Sequence, residues 1–576
     1  MKAQRLHSKL LPLLLLLTLA AAAHSATRAM PNPVPLVNNP LVPDAVAPGS
    51  QGFTLTVNGT GFVSGSVVNW NGSPLATTFV NASQVTAVVP AEDVAVAGTA
   101  SVTVASPSPG GGSSNVAAFT IRSPFTAASF GRSDMPTAKS PGLPISADFN
   151  RDGKADLALI ASSDGAIVVF IGKGDGTFEP PVEYSVLTSP EQVVSSDFNG
   201  DGFLDLAVVD LGGTVSILLG QGDGTFQGHR DVFVSDDYCI GIAVADFNHD
   251  GKLDVAVSDW YPGARVFVLL GNGDGTFLSP VPFAAGTDSG QGIVAGDFNR
   301  DGKIDLAVVL HWENQVAILL GNGDGTFQAG VEYPAGVLPP YLAAADLNGD
   351  GTLDLAVSSY LGVSVLLGNG DGTFQPSVDY KGEEIPNYIV AADLSGDDKL
   401  DLIVSNAGTL GNLKYSTITT FSNKGDGRFI HRSDFTVGTY PYGIAVGDFN
   451  GDGKLDVVAT NVAGNTISIL PQVTSVLSRT YFNFGKVKVG DKSTRKVTLS
   501  NIGDTSFTIN RIVPIGKGSA GFAVRNNCGS ELGPGANCKI TIVFQPQSPV
   551  PYRHVRVKVS SSVAKQKIYL LGSGVK

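Results

Sequence analysis

Asp297-Phe-Asn-Arg-Asp-Gly-Lys-Ile-Asp305 is the stretch on which the fold turns. It places carboxylates at positions 1, 5 and 9, an amide at position 3 and glycine at position 6. The pattern begins again at Asp148, Asp197, Asp246, Asp346, Asp393 and Asp448, at intervals of 47 to 55 residues. A repeat near fifty residues with several short strands per unit means propeller blades. Each unit reads alike. An apolar strand precedes the first Asp, as in Ile242-Ala-Val-Ala245. A second follows the last Asp, as in Leu306-Ala-Val-Val309, and a third is Val316-Ala-Ile-Leu-Leu320. A Gly-Asp-Gly-Thr-Phe turn then leads to a fourth strand, and Asp-Gly is a strong hairpin signal. The turn occurs at Asp175, Asp223, Asp274, Asp324, Asp371 and, with Arg428 for Thr, at Asp426. The seventh unit lacks it, so seven blades fall one strand short. The spare segment Pro124-Phe-Thr-Ala-Ala-Ser-Phe130 is expected to supply the missing strand and leave no open sheet edge.

The nonapeptide reads as a cation loop. Its side chains at positions 1, 3, 5 and 9 are all oxygen donors, and the carbonyl of position 7 can join them. Ca²⁺ takes six to eight oxygens and tolerates irregular geometry. The expected ligands are Asp148, Asn150, Asp152, Lys154 and Asp156 in loop 1, and Asp197, Asn199, Asp201, Phe203 and Asp205 in loop 2. Loop 3 offers Asp246, Asn248, Asp250, Lys252 and Asp254; loop 4 offers Asp297, Asn299, Asp301, Lys303 and Asp305. Loop 5 offers Asp346, Asn348, Asp350, Thr352 and Asp354; loop 6, Asp393, Ser395, Asp397, Lys399 and Asp401; loop 7, Asp448, Asn450, Asp452, Lys454 and Asp456. The residue at position 7 contributes only its carbonyl. Without His or Cys the set argues against zinc or copper. An EF-hand would carry Glu at position 12 and a following helix. Position 12 is instead Leu159, Val208, Val257 or Val308, and strands follow. About seven calcium ions are expected. They would add +14 against a net charge of −13. Loop 6, with Ser395 for Asn and Asp398 for Gly, is expected to be the weakest.

Composition agrees with many short strands. Of 576 residues, 70 are Gly and 15% are charged, against about 25% charged in an average soluble protein. A net charge of −13 disfavours a nucleic-acid partner, whose binding needs basic surfaces. Lys2, Arg5 and Lys9, the apolar run Leu10 to Ala23, and Ala23-His-Ser25 form a secretory signal over residues 1–25. No later stretch reaches the ~18 apolar residues of a membrane span. The mature chain is therefore expected to be secreted or held at a cell surface.

Two further zones flank the repeats. Residues 31–122 alternate apolar and polar residues in short segments such as Phe53-Thr-Leu-Thr-Val57, the pattern of a β-sandwich. With Leu55-Thr-Val-Asn-Gly-Thr-Gly-Phe62 and Val68-Asn-Trp-Asn-Gly72 the zone resembles the IPT/TIG immunoglobulin-like family. Residues 477–576 form a second sandwich candidate. Cys528 and Cys538 lie ten apart across Gly533-Pro-Gly535, so a disulfide is expected in a secreted chain. Phe544-Gln-Pro546 and Leu570-Leu-Gly-Ser-Gly574 make this zone similar to the ASPM/SPD-2/Hydin-type immunoglobulin-like domain, seen at the C-terminal end of many bacterial surface proteins. The repeats themselves, over residues 124–473, resemble the FG-GAP/VCBS family, whose best-known architecture is the integrin α-subunit propeller. The resemblances imply an all-β chain: a seven-bladed calcium propeller between two immunoglobulin-like sandwiches, working in extracellular binding or adhesion.

Loops between strands one and two share a face with the Gly-Asp-Gly-Thr-Phe turns. The opposite face carries Trp260, Tyr261, His311-Trp-Glu313 and Tyr360. Trp260, Tyr261, Trp312 and Tyr360 are candidates for contact with a glycan or protein, since exposed aromatics supply contact area at low entropic cost. Tyr341, Tyr388 and Tyr442 read rather as packing residues. His249 stands at a non-ligand position expected to face solvent, and Cys239 reads as a buried free thiol. No Gly-x-Ser-x-Gly or His-Glu-x-x-His occurs, so no enzyme is expected. The alternatives are a carbohydrate- or phosphoester-active enzyme on the propeller, or a purely structural surface protein.

Overall fold

The computed structural model describes residues 31–576 except 39–40, 44, 47–48, 96–97, 122–129, 261–262, 288, 383–384, 408–415, 473–474, 478–480, 502–506, 534–535 and 562–564. The expected secretory signal at residues 1–25 and Tyr261 lie outside the described residues.

Seven four-stranded antiparallel sheets form the middle of the chain. In blade 4 the strands are Gly290–Gly296, Asp305–Leu310, Gln315–Leu319 and Val331–Pro334, paired in chain order. The second strand of every blade is buried along its whole length, as in Asp305-Leu-Ala-Val-Val-Leu310. This explains its continuous apolar reading: both faces of a blade pack on neighbouring blades. The fourth strand is an outer edge, and in Val331–Pro334 only one residue of four is even half-buried.

The ring closes. One apolar cluster joins Leu157, Leu159 and Phe170 of blade 1 to Ala445, Phe449 and Ile467 of blade 7. Blade 7 takes its outer strand from the N-terminal side of the repeats, as expected, but from a different segment. Ser133–Pro136 pairs antiparallel with Thr466–Ile469. Of Pro124–Phe130 only Phe130 is described; it bridges to Gln472 and packs edge-to-face against Phe435 with ring centroids 4.9 Å apart. Residues 124–129 of the expected strand lie outside the described residues, and from Phe130 onward the segment runs along blade 7.

The N-terminal zone is a two-sheet sandwich cored by Leu55, Val57, Val68, Trp70, Val102 and Phe119. The C-terminal zone is another, around Phe484, Phe522, Ile540, Phe544 and Val557. There Cys528 and Cys538 form a disulfide with Cα atoms 4.8 Å apart. Cys239 is free and buried, as expected. Among the described residues no helix is long and apolar enough to cross a membrane.

Candidate functional site

Each acidic loop joins the first strand of a blade to the second. Its first Asp folds the loop onto itself. In loop 1, Asp148 Oδ1 accepts the N–H of Asp152 at 3.0 Å and Oδ2 that of Gly153 at 2.8 Å. Asn150 Oδ1 accepts the same Asp152 N–H at 3.0 Å, so two oxygen donors converge on one point. The convergence repeats at Asp201, Asp250, Asp301, Asp350 and Asp452. Glycine at position 6 eases the bend: Gly302 sits at φ +84°, which only glycine adopts freely.

The ninth residue has a role that its spacing alone does not reveal. Asp305 Oδ2 accepts the N–H of Phe298 at 2.9 Å, and Oδ1 that of Gly321, just beyond the third strand, at 2.8 Å. Asp156, Asp205, Asp254, Asp354 and Asp456 do the same in their blades. The carboxylate therefore staples the loop to the end of strand three. Burial, joined by the neighbouring carboxylates of the loop, pushes Asp156 up to about 6, Asp205, Asp305, Asp354 and Asp401 to about 7, and Asp254 and Asp456 to about 8.

A second staple runs between blades. The N–H of the second glycine in the Gly-Asp-Gly turns at Asp175, Asp223, Asp274, Asp324 and Asp371 donates to the position-2 carbonyl of the preceding loop. Gly325 reaches Phe247 at 3.0 Å, and Gly176 carries the pattern across the closure to Phe449 at 2.8 Å. Loops and turns thus share one face.

The donor set suits a hard divalent cation, being all oxygen with two donors already convergent. Among the described residues no three Asp, Glu, His or Cys side chains converge closely enough to hold a metal unaided. A cation would have to recruit position 3 and the backbone carbonyl, and draw the carboxylates inward. In loops 1, 3, 4 and 6 the position-7 lysine meanwhile pairs with the position-5 carboxylate, at 2.8 Å for Lys154–Asp152 and 3.7 Å for Lys252–Asp250. Loop 6 is the most irregular. Asp393 reaches Asp397 and Asp398 N–H only at 3.4 and 3.2 Å, and the Ser395 hydroxyl donates to Asp397. Asp398 is forced to φ +63°. His249 is half-buried rather than solvent-facing, within electrostatic reach of Asp301 and Lys303 of loop 4; burial lowers its pKa.

On the opposite face, Trp260 lies 5.3 Å from His311 and 6.3 Å from Trp312, and His311 lies 4.7 Å from Trp312. His311 is anchored through Nδ1 to the Pro339 carbonyl at 3.0 Å. Trp312 is 56% exposed. Tyr360 is also exposed, over blade 5, its N–H held by the Val337 carbonyl. Tyr341, Tyr388 and Tyr442 instead pack together, with the Tyr341 and Tyr442 hydroxyls 3.3 Å apart.

Comparison with known proteins agrees with this architecture. The FG-GAP-like repeat family matches at residues 148–196, 197–257, 250–308, 304–357, 346–404 and 409–459. The IPT/TIG domain matches residues 40–121, and the HYDIN/CFA65/VesB-like, Ig-like domain residues 476–572. These modules are of extracellular binding and adhesion type and are not catalytic in themselves. No curated protein matches the chain. Among solved structures, an Agrocybe aegerita lectin described as recognising non-reducing terminal N-acetylglucosamine is 19% identical, over 66% of this chain and 95% of that one, with a TM-score of 0.38. A putative phosphatase from Bacteroides thetaiotaomicron is 12% identical over 76% and 97%, TM-score 0.34. An auxiliary nutrient binding protein from Bacteroides ovatus is 12% identical over 76% and 98%, TM-score 0.32. At these scores the likenesses carry no argument about function. The six repeat matches, by contrast, span more than half of the 576 residues and coincide with the blades, so this chain belongs to the FG-GAP-like repeat family.

Proposed function

We propose that this protein is a secreted, calcium-loaded recognition module that binds an extracellular glycan or protein through the aromatic rim opposite its acidic loops. The observation that carries this reading is the Trp260–His311–Trp312 cluster, in which an indole 56% exposed stands on ring neighbours that hold it in place. A pre-positioned aromatic surface gives contact area at little entropic cost. The acidic loops serve the ring. Cations there would neutralise clustered carboxylates and, binding only the folded form, would raise its stability by mass action.

The test is a glycan array and a surface-protein binding screen on the whole protein, with and without EDTA. Trp260→Ala and Trp312→Ala are expected to abolish the signal; binding that survives both sinks the reading. Calcium is checked separately by elemental analysis and calorimetric titration. Asp297→Ala is expected to cost more calcium affinity than Asp393→Ala, because loop 6 starts weakest, and the reverse order contradicts the assignment.

A further inference from the structure

The seven loops share one pattern, yet loop 3 stands in different surroundings. The N–H of Val34, from the N-terminal sandwich, donates to Asp246 Oδ2 at 2.8 Å in a buried contact across 212 residues. The same oxygen accepts the N–H of Gly251 at 2.9 Å, and Oδ1 that of Asp250 at 3.1 Å. Asp246 is only 2% exposed. A Cβ on Gly251 would lie 2.5 Å from Gly110 Cα and 2.6 Å from the Asn32 carbonyl oxygen. The corresponding Gly153, Gly202, Gly302 and Gly351 have nothing within 4 Å. Leu36 adds an apolar contact to the core shared by blades 3 and 4. The sandwich therefore lies flat on loop 3, with a cleft of about 710 Å³ on the side of loop 2 and one of about 700 Å³ over loops 4 to 6.

We propose that seating of the N-terminal sandwich and occupancy of loop 3 by a divalent cation are thermodynamically linked, so that loop 3 latches the sandwich over the acidic-loop face. The inference rests on the calcium reading above. Val34 presents only a backbone N–H, so its bond requires Asp246 Oδ2 at one fixed place. Asp246, Asp250 and Asp254 repel one another, and a carboxylate pushed aside by that repulsion withdraws the acceptor. Held in place, the same carboxylate offers the sandwich a ready partner, and the seated sandwich limits the orientations left to Asp246. Such coupling is reciprocal: whatever seating gains from the cation, loop 3 gains in cation affinity from seating. Loops 1 and 7 have no such neighbour in either cleft and would titrate independently.

The experiment combines small-angle scattering with calcium calorimetry on the full chain. Val34→Pro removes the donor, between prolines that already hold the segment extended. Gly251→Ala forces the two surfaces apart. Gly302→Ala carries the same strain, at φ +84° against +80°, without a contact to break. In calcium, Val34→Pro and Gly251→Ala are expected to enlarge the radius of gyration and to weaken one calcium site by roughly tenfold, whereas Gly302→Ala stays compact. Asn248→Ala, which empties loop 3 selectively, is expected to release the sandwich; Asn150→Ala in loop 1 is not. Variants that open while every site keeps its affinity overturn the linkage and leave calcium binding intact. Calorimetric silence from the wild type overturns the calcium reading, and the linkage with it. Scattering identical to wild type in both Val34→Pro and Gly251→Ala overturns the latch.

Discussion

Substituting Asp305 by Ala strips two hydrogen bonds from the interior of blade 4, leaving the N–H groups of Phe298 and Gly321 buried without an acceptor. Each orphaned donor costs about 1–3 kcal/mol, so the loss is roughly 2–6 kcal/mol at any pH. Against it stands relief. The folded-state pKa of Asp305 is pushed up to about 7, while the unfolded value is about 3.9. Relative to the unfolded chain this group therefore disfavours the apo fold by on the order of 4 kcal/mol at pH 8, where it is ionised, and by about half that at pH 5.5, where the folded carboxyl is largely protonated. The sign follows from linkage. With a raised folded pKa the native state binds the extra proton between about pH 4 and 7, so wild-type stability from this group falls as pH rises. Ala has no such term. In EDTA the substitution should thus be about 2 kcal/mol less damaging at pH 8 than at pH 5.5. The other six staples titrate in both proteins and cancel. The ring runs from Phe130 to Gln472, roughly 340 residues, for which 1 kcal/mol moves Tm by about 1.4 °C. Scanning calorimetry should show a difference of about 3 °C between the two pH values. In calcium, where the ionised form is the one a cation favours, the Tm loss should grow and its pH dependence vanish. A loss in EDTA that is equal at both pH values, or larger at pH 8, would refute the reasoning.

Three further outcomes are expected. Deleting Ser133–Pro136 removes the partner of Thr466–Ile469 and the hydrogen bond from Ser468 to Asp134, so the propeller transition should fall and the bared edge promote aggregation; an unchanged melt rejects the closure. Reducing Cys528–Cys538 opens a loop of sequence separation 10, which is worth about 2–3 kcal/mol. In a domain near 100 residues that lowers its own transition by about 10 °C or more, while the propeller transition stays put; equal shifts in both would contradict separate sandwich unfolding. Cys239 is 0% exposed and burial pushes its thiol up to about 12, so a thiol reagent should leave the native protein unlabelled and modify one site after denaturation, and fast native labelling would contradict the placement.

The blades were legible because Asp, Asn, Asp, Gly and Asp at fixed offsets mark a loop, and the apolar runs around them mark buried strands. What escaped sequence reading shares one physical cause: it depends on backbone groups or on weak edge strands. Ser133-Asp-Met-Pro136 looks like a loop because this outer strand half-buries only one side chain, Met135. The double bond of Asp305 was hidden because both donors are main-chain amides. Its only trace was that position 9 always opens a strand buried along its whole length. The contact of Val34 with Asp246 has no side-chain signature on one side and spans 212 residues.

Comparing the seven units with one another separates architecture from recognition. On the acidic face the units are nearly interchangeable. Position 9 closes a blade through two amides, and the Gly-Asp-Gly turn ties that blade to the one before it, with geometry constant to a few tenths of an ångström. Features repeated in nearly every unit answer a demand shared along the ring, and ring closure is such a demand. On the opposite face the connections between strands two and three differ in length and in side chains, sharing in blades 2, 4 and 7 only a last residue at positive φ. They are Leu211-Gly-Gly213 in blade 2, His311-Trp-Glu-Asn314 in blade 4, Tyr360-Leu361 in blade 5 and Val462-Ala-Gly-Asn465 in blade 7. A ring that needed those loops for its own stability would have repeated them too. Their freedom to differ, with indoles gathered over blades 3 and 4, is the reason the recognition proposed above is assigned to that side of the molecule.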